Sequence, residues 1–306
     1  MRFVIIGAGG VGGYFGARLA AAGTEVAFIA RGAHRQAIEE SGLRVLSPKG
    51  DLHIERPKVY GEPGGAGPCD VVLICVKMVD TAAVAEAVRP ILTGDTAVIS
   101  LQNGVEAEDM LAESLGRPFV MGGVAYIEAH IEAPGVVRHD GEMARIAFGE
   151  INGAASRRQD ALHRVCAEAG IDVDASGKIH ERIWRKFAML APLAGATCLG
   201  RCPVGAVRDD PALAGKLEVM VAEAVALARA RGVPLAEGME GRVMQQIGQL
   251  PWDMKTSMLR DLEAGRRLEL PWLNGAIVRL GAEAGIEAPA NADVVAALTS
   301  VVEGAV

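Results

Sequence analysis

The chain has 306 residues, enough for about two domains at roughly 150 residues each, and it needs no disulfide staples to bury a core. Hydrophobic residues make up 50% and charged residues 23%, which excludes wholesale disorder. A formal charge of −7 argues against a nucleic-acid partner, which demands a basic face, and leaves room for a small anion held by local cations.

Residues 3–6 form a short β-rich run that stops at Gly7. Helical spacing follows in Val11, Phe15, Leu19 and Ala22 and ends at Gly23. The six glycines between Gly7 and Gly16 would dismantle the helix of an export signal, so this apolar start reads as folded chain. A second buried strand spans 25–30. Strand, glycine-rich turn, helix and strand within about 30 residues make a βαβ unit. Further strands are expected at 71–76, 96–101 and 119–125, with a helix over 80–92. A small strand excursion covers 51–59, and Asp140-Gly141 between 136–139 and 143–148 predicts a hairpin at the sheet edge. A helix at 156–169 and a strand at 171–174 close a first domain, residues 1–176. From 177 to 306 the periods are helical: 178–199, 211–231, 235–248, 256–264, 271–284 and 290–303. Pro211, Pro234, Pro271 and Pro289 stand near helix starts, where a missing N–H does no harm.

The expected fold class is α/β: an N-terminal Rossmann-like doubly wound parallel sheet and a C-terminal all-helical domain. No apolar run reaches about 18 residues without a charge or a proline, so no membrane span is expected and the chain reads as soluble and cytoplasmic. Five scattered cysteines fit reduced thiols. Cys198 and Cys202, four apart, could share a helix face, yet no His or Cys cluster joins them, and no metal site is expected.

Gly7-Ala8-Gly9-Gly10-Val11-Gly12 matches G-x-G-x-x-G directly after a strand and at the opening of a helix. Glycines there let the backbone approach a pyrophosphate, which the helix N-terminus holds with N–H groups and its dipole. Arg31 ends the second strand, nineteen residues after Gly12, where an NAD enzyme would place a carboxylate. A guanidinium instead suits a 2′-phosphate, with His34 and Arg35 close by, and NADPH is the expected cofactor. Lys77 and Asn103 follow the strands at 71–76 and 96–101, at the carboxyl ends where ligands of open α/β sheets bind. A solvated cation and an Asn-Gly turn are the plain alternatives for those two positions.

These motifs, with Cys-Val-Lys-Met around Lys77, Leu-Gln-Asn-Gly around Asn103, Trp184-Arg-Lys186, Ser257-Met258 before Asp261, and Glu269, resemble the ketopantoate reductase (2-dehydropantoate 2-reductase) family. The likeness runs over nearly the whole chain. It implies NADPH-dependent reduction of a 2-oxo acid, 2-dehydropantoate to pantoate in pantothenate biosynthesis, in a cleft between the two domains. It assigns Lys186 as general acid, Glu269 as the carboxylate that supports the lysine and contacts the substrate hydroxyl, and Ser257 as the hydroxyl binding the substrate carboxylate. Since the family includes dimers, a homodimer is expected.

One departure stands out. The family places asparagines four and eight residues after its lysine, and Leu190 and Ala194 occupy those positions. Sites built on such amides reject analogues lacking the partner group, so their loss points to a more apolar 2-oxo acid. Two other readings remain: a dehydrogenase for a 3-hydroxy acid or an amino-acid derivative on the same scaffold, and a dinucleotide-binding regulator without catalysis.

Overall fold

The computed structural model describes residues 1–304. Two compact units emerge: Met1–Gln102 with Glu106–Ile179, and Asn103–Val105 with the chain from His180 on.

The first unit carries β1 (Arg2–Ile6), α1 (Gly10–Ala21), β2 (Glu25–Ile29), α2 (Gly32–Ser41), β3 (Leu43–Leu46), β4 (Leu52–Ile54), β5 (Lys58–Tyr60) and β6 (Val71–Ile74). It continues with α3 (Thr81–Val88), β7 (Ala97–Ser100), α4 (Ala107–Leu115), β8 (Val120–Ala133), β9 (Val136–Glu150), α5 (Arg157–Glu168) and β10 (Asp172–Ala175). One sheet holds all ten strands in the order β4-β3-β9-β8-β7-β6-β1-β2-β5, with β10 beside β9. The run β5-β2-β1-β6-β7-β8 is parallel throughout. That is the doubly wound dinucleotide-binding order, in which the order of strand addition reverses at β1. Both faces are covered, which explains the unbroken apolar strands. Phe3 and Ile5 of β1 enter one core with Phe15 of α1, Ile38 of α2 and Leu162 of α5. Val4 and Ile6 enter the other, with Val84 of α3 and Leu111 of α4.

The sheet is mixed, because β8 and β9 pair antiparallel and so do β3 and β4. Here the expected hairpin at Asp140-Gly141 is overturned. The turn is Pro134-Gly135, with Gly135 at φ +78°, and it joins two long strands inside the sheet. Gly141, at φ +72°, lies instead where the register jumps from Ile127↔Ala144 to Glu128↔Asp140. Its left-handed backbone serves a bulge, and both motifs draw on the same glycine preference. The elements α2, β3 and α4 lie outside those expected from the sequence.

The second unit is helical: α6 (Ile179–Gly200), α7 (Val204–Asp209), α8 (Pro211–Ala230), α9 (Met239–Gly248), α10 (Ser257–Glu263), α11 (Asn274–Ala284) and α12 (Pro289–Leu298). The C-terminal half of α6 is apolar on all sides, with residues 191–198 buried around Pro192. Pro211 and Pro289 begin their helices, as their missing N–H groups favour. The start of α12 has no side-chain cap of its own. Glu223 of α8 supplies one, accepting from Ala290 N (2.8 Å), Asn291 N (3.0 Å) and Asn291 Nδ2 (2.6 Å), which accounts for a buried carboxylate. Cys202 lies beyond the end of α6, so it shares no helix face with Cys198. Among the described residues no helix is long and apolar enough to cross a membrane, and no group of three His, Cys, Asp or Glu is placed to hold a metal.

Candidate functional site

In the first unit, β1 delivers the chain to a turn pinned by Gly7 and Ala8, whose N–H groups donate to the Ile29 carbonyl at 3.0 and 3.1 Å. Gly7 sits at φ +95°, where only glycine is unstrained. A Cβ on Gly12 would overlap the Gly7 carbonyl oxygen, and one on Gly10 would overlap the Ala129 carbonyl of β8. Those glycines therefore set how tightly α1 seats on strand and turn. Gly9 differs: a Cβ there would meet nothing nearer than Ile131 Cδ1 at 3.9 Å. Gly9 occupies the cap position of the twelve-residue α1, and no side chain caps that helix start. Val11 is half-buried in the opening turn. An anion fits such a helix start, and these residues suit a dinucleotide pyrophosphate.

Arg31 is exposed at the carboxyl end of β2, as the cap residue of α2. The two basic neighbours do not add to it. Gly135 N donates to His34 Nδ1 (3.1 Å), so the ring proton sits on Nε2 and is donated to the Ala8 carbonyl (2.8 Å). His34 is thus a neutral brace between the glycine turn and the β8–β9 turn. Arg35 is engaged by Glu39 at 2.8 Å. Lys77 is half-buried just past β6, preceding the turn into α3. Gln102, given no role from the sequence, ties the end of β7 to the start of α3. Its Nε2 donates to Thr81 Oγ1 (2.8 Å) and its Oε1 accepts from Ser100 Oγ (3.0 Å).

In the helical unit, Lys186 is half-buried on α6 between Trp184 and Phe187, whose buried rings meet edge to face at 5.7 Å. Its Nζ donates to Asn103 Oδ1 at 2.8 Å, a pairing across 83 positions that no spacing rule predicts. Asn103 belongs to the short segment grouped with this unit. Burial pulls the Lys186 ammonium down from 10.5 to about 8, and the Glu269 carboxylate works against that fall. Glu269 is half-buried at the start of a tight turn, Leu270–Trp272. Together Lys186, Asn103 and Glu269 form a polar group in this unit. Leu190, one turn beyond Lys186, is half-buried and keeps accessible surface, whereas the Ala194 methyl is packed away at 1% exposure. Ser257 is exposed as the first residue of α10, and the residue before it, Thr256, caps that helix by accepting from Leu259 N (3.2 Å).

The family model described as ketopantoate reductase PanE/ApbA matches residues 3–153, and its C-terminal counterpart matches residues 178–302. A 2-dehydropantoate 2-reductase of Archaeoglobus fulgidus is 33% identical over 292 residues, 95% of this chain and 94% of its own. An uncharacterized oxidoreductase of Bacillus subtilis, YkpB, is 31% identical over 94% of this chain and 95% of its own. The crystal structure of a PanE/ApbA family ketopantoate reductase from Ralstonia eutropha JMP134 superposes with a TM-score of 0.90 at 32% identity, covering 98% of both chains. With both halves matched in order, the chain belongs to the ketopantoate reductase family, NADPH-using oxidoreductases that act on CH–OH groups.

Proposed function

We propose that the protein reduces 2-dehydropantoate to pantoate, with Lys186 as the proton donor. The observation that carries this reading is the Lys186 Nζ–Asn103 Oδ1 hydrogen bond of 2.8 Å, on a lysine that burial brings to about 8. A general acid works best when its pKa lies near the working pH, and a lysine at about 8 is still largely protonated at pH 7. Bound NADPH supplies hydride to the ketone carbon. As negative charge grows on the ketone oxygen, the Lys186 ammonium stabilises it and gives up a proton. Asn103 Oδ1 aims that ammonium, and Glu269 keeps it charged between turnovers. Ser257, exposed at the start of α10, would donate its hydroxyl proton to the substrate carboxylate.

Residues 1–176 serve as the NADP-binding domain in this reading, with Gly7, Gly9, Gly10, Val11 and Gly12 at the pyrophosphate, Arg31 at the 2′-phosphate, and Lys77 and Asn103 nearer the reacting end. Residues 177–306 serve as the substrate and catalytic domain. The enzyme is taken to be cytoplasmic and, like family dimers, a homodimer, which its mass in solution tests.

A second reading keeps the chemistry and changes the substrate. Leu190 offers accessible apolar surface one turn from Lys186, where an amide would be needed to hold a substrate hydroxyl. A branched or aromatic 2-oxo acid suits that surface better. Steady-state NADPH oxidation against 2-dehydropantoate and a panel of branched and aromatic 2-oxo acids decides between the two. The highest kcat/KM on 2-dehydropantoate supports the first, and the highest on an apolar acid supports the second. Turnover with none of them overturns both.

A further inference from the structure

Ser257 stands at the head of a helix of seven residues, too short to hold its own shape without outside support. Support comes from Thr256, whose Oγ1 accepts from Leu259 N (3.2 Å) and also lies 2.8 Å from Oγ1 of Thr197 on α6. Both hydroxyls are shut away from water, with Thr197 at 0% exposure and Thr256 at 3%. Thr197 Oγ1 is in turn 3.0 Å from the Leu193 carbonyl and 3.1 Å from that of Ala194.

The proton positions follow from counting donors. The Thr256 oxygen takes the Leu259 N–H, and the Thr256 hydroxyl proton needs an acceptor of its own. Thr197 Oγ1 provides it, provided that the Thr197 proton goes to the α6 carbonyls. The opposite direction would strand the Thr256 proton in a dry interior, which is costly. The bonds therefore run one way, from Leu259 N–H through Thr256 and Thr197 to the backbone of α6.

Resting on the reading that Ser257 binds the substrate carboxylate, we infer that Thr197 is a positioning residue for that site. Its hydroxyl locks the start of α10, and with it Ser257, to the helix that carries Lys186. Thr197 lies eleven positions beyond Lys186, three turns along α6, so it acts on where the substrate is held and not on the proton donor. The loop entering α10 is fixed separately, by Val204 N to the Met254 carbonyl (2.9 Å) and Gly205 N to the Trp252 carbonyl (2.8 Å). The hydroxyl pair thus governs the last residues before Ser257 and leaves the loop path alone.

The test compares Thr197→Val, Thr197→Ser, Ser257→Ala and the Thr197→Val/Ser257→Ala double variant by steady-state NADPH oxidation with the best 2-oxo acid of the panel. Ser257→Ala is expected to raise the KM for the oxo acid by about tenfold or more. Thr197→Val should raise it by about threefold to tenfold, with kcat within about twofold of wild type and the KM for NADPH unchanged, and Thr197→Ser should restore it. The double variant should be no worse than Ser257→Ala alone, because Thr197 works through Ser257. An unchanged KM in Thr197→Val overturns the inference, and so do a Thr197→Ser as impaired as Thr197→Val or a multiplicative double variant. If Ser257→Ala itself leaves KM unchanged, the reading of Ser257 fails first and the inference goes with it. Should Thr197→Val not fold, Thr197→Ala removes the hydroxyl while leaving space for water, and the same comparisons apply.

Discussion

Replacing Glu269 by glutamine isolates the electrostatic part of the site. In the native protein burial lowers Lys186 to about 8 and the Glu269 carboxylate holds it up against a larger fall. Glutamine keeps the shape and removes the charge, so the lysine drops further. For a loss of about one pKa unit, corresponding to about 1.4 kcal/mol between protonation states, the protonated fraction at pH 7 goes from about 90% to about 50%. At pH 8 it goes from about 50% to about 10%, so the variant's deficit widens from about twofold to about fivefold as pH rises. The assay is kcat/KM for reduction between pH 6 and 9.5, which reports the free enzyme. In wild type the rate should fall through an alkaline limb centred near 8, because the donor loses its proton there. In Glu269→Gln the limb should move to lower pH. Any contact that Glu269 makes with substrate would scale the whole profile without moving its midpoint, so the two effects separate. A limb that stays in place would refute the idea that Glu269 tunes Lys186.

Three further outcomes follow. Lys186→Met should cut kcat by about 10² to 10⁴, while raising stability at pH 7 by at most about 3 kcal/mol. The folded-state lysine sits below its unfolded value, so the unfolded chain binds the extra proton between about pH 8 and 10.5. Wild-type stability therefore climbs through that window, and urea titrations at pH 7 and 10 should show that climb abolished in Lys186→Met. Arg31→Ala should raise the KM for NADPH by about tenfold to a hundredfold and leave NADH kinetics unaltered, since only the 2′-phosphate loses its partner; equal losses with both cofactors would reassign the arginine. Arg201, just past the end of α6, is held at φ +47°, a left-handed conformation that glycine adopts without strain. Arg201→Gly should stabilise the protein by about 0.5 to 1 kcal/mol, read as a higher urea midpoint with an unchanged slope.

The sequence exposed local signals and concealed paired ones. Apolar strands buried on both faces and the glycine-rich start of α1 announce a doubly wound sheet, since each is a run of neighbours obeying one rule. Gly141 shows where such reading fails. A left-handed glycine marks a bulge as readily as a hairpin turn, and only the strand opposite settles which. The same limit explains His34, whose charge looked useful beside Arg31. Its role as a neutral brace depends on Ala8 and on Gly135, 101 positions away, and neither partner is visible in a basic cluster. In the helical half, Lys186 was legible as a residue in a resembling motif. Its partner Asn103 comes from the far side of the domain division in sequence, from a segment that otherwise reads as a strand-end turn. The titration of that lysine is a property of its surroundings: an ammonium on an exposed helix would titrate near 10.5, and burial brings this one to about 8. A motif can thus point to a candidate proton donor, whereas the lowered pKa that would suit it to that task arises only when distant segments close around it.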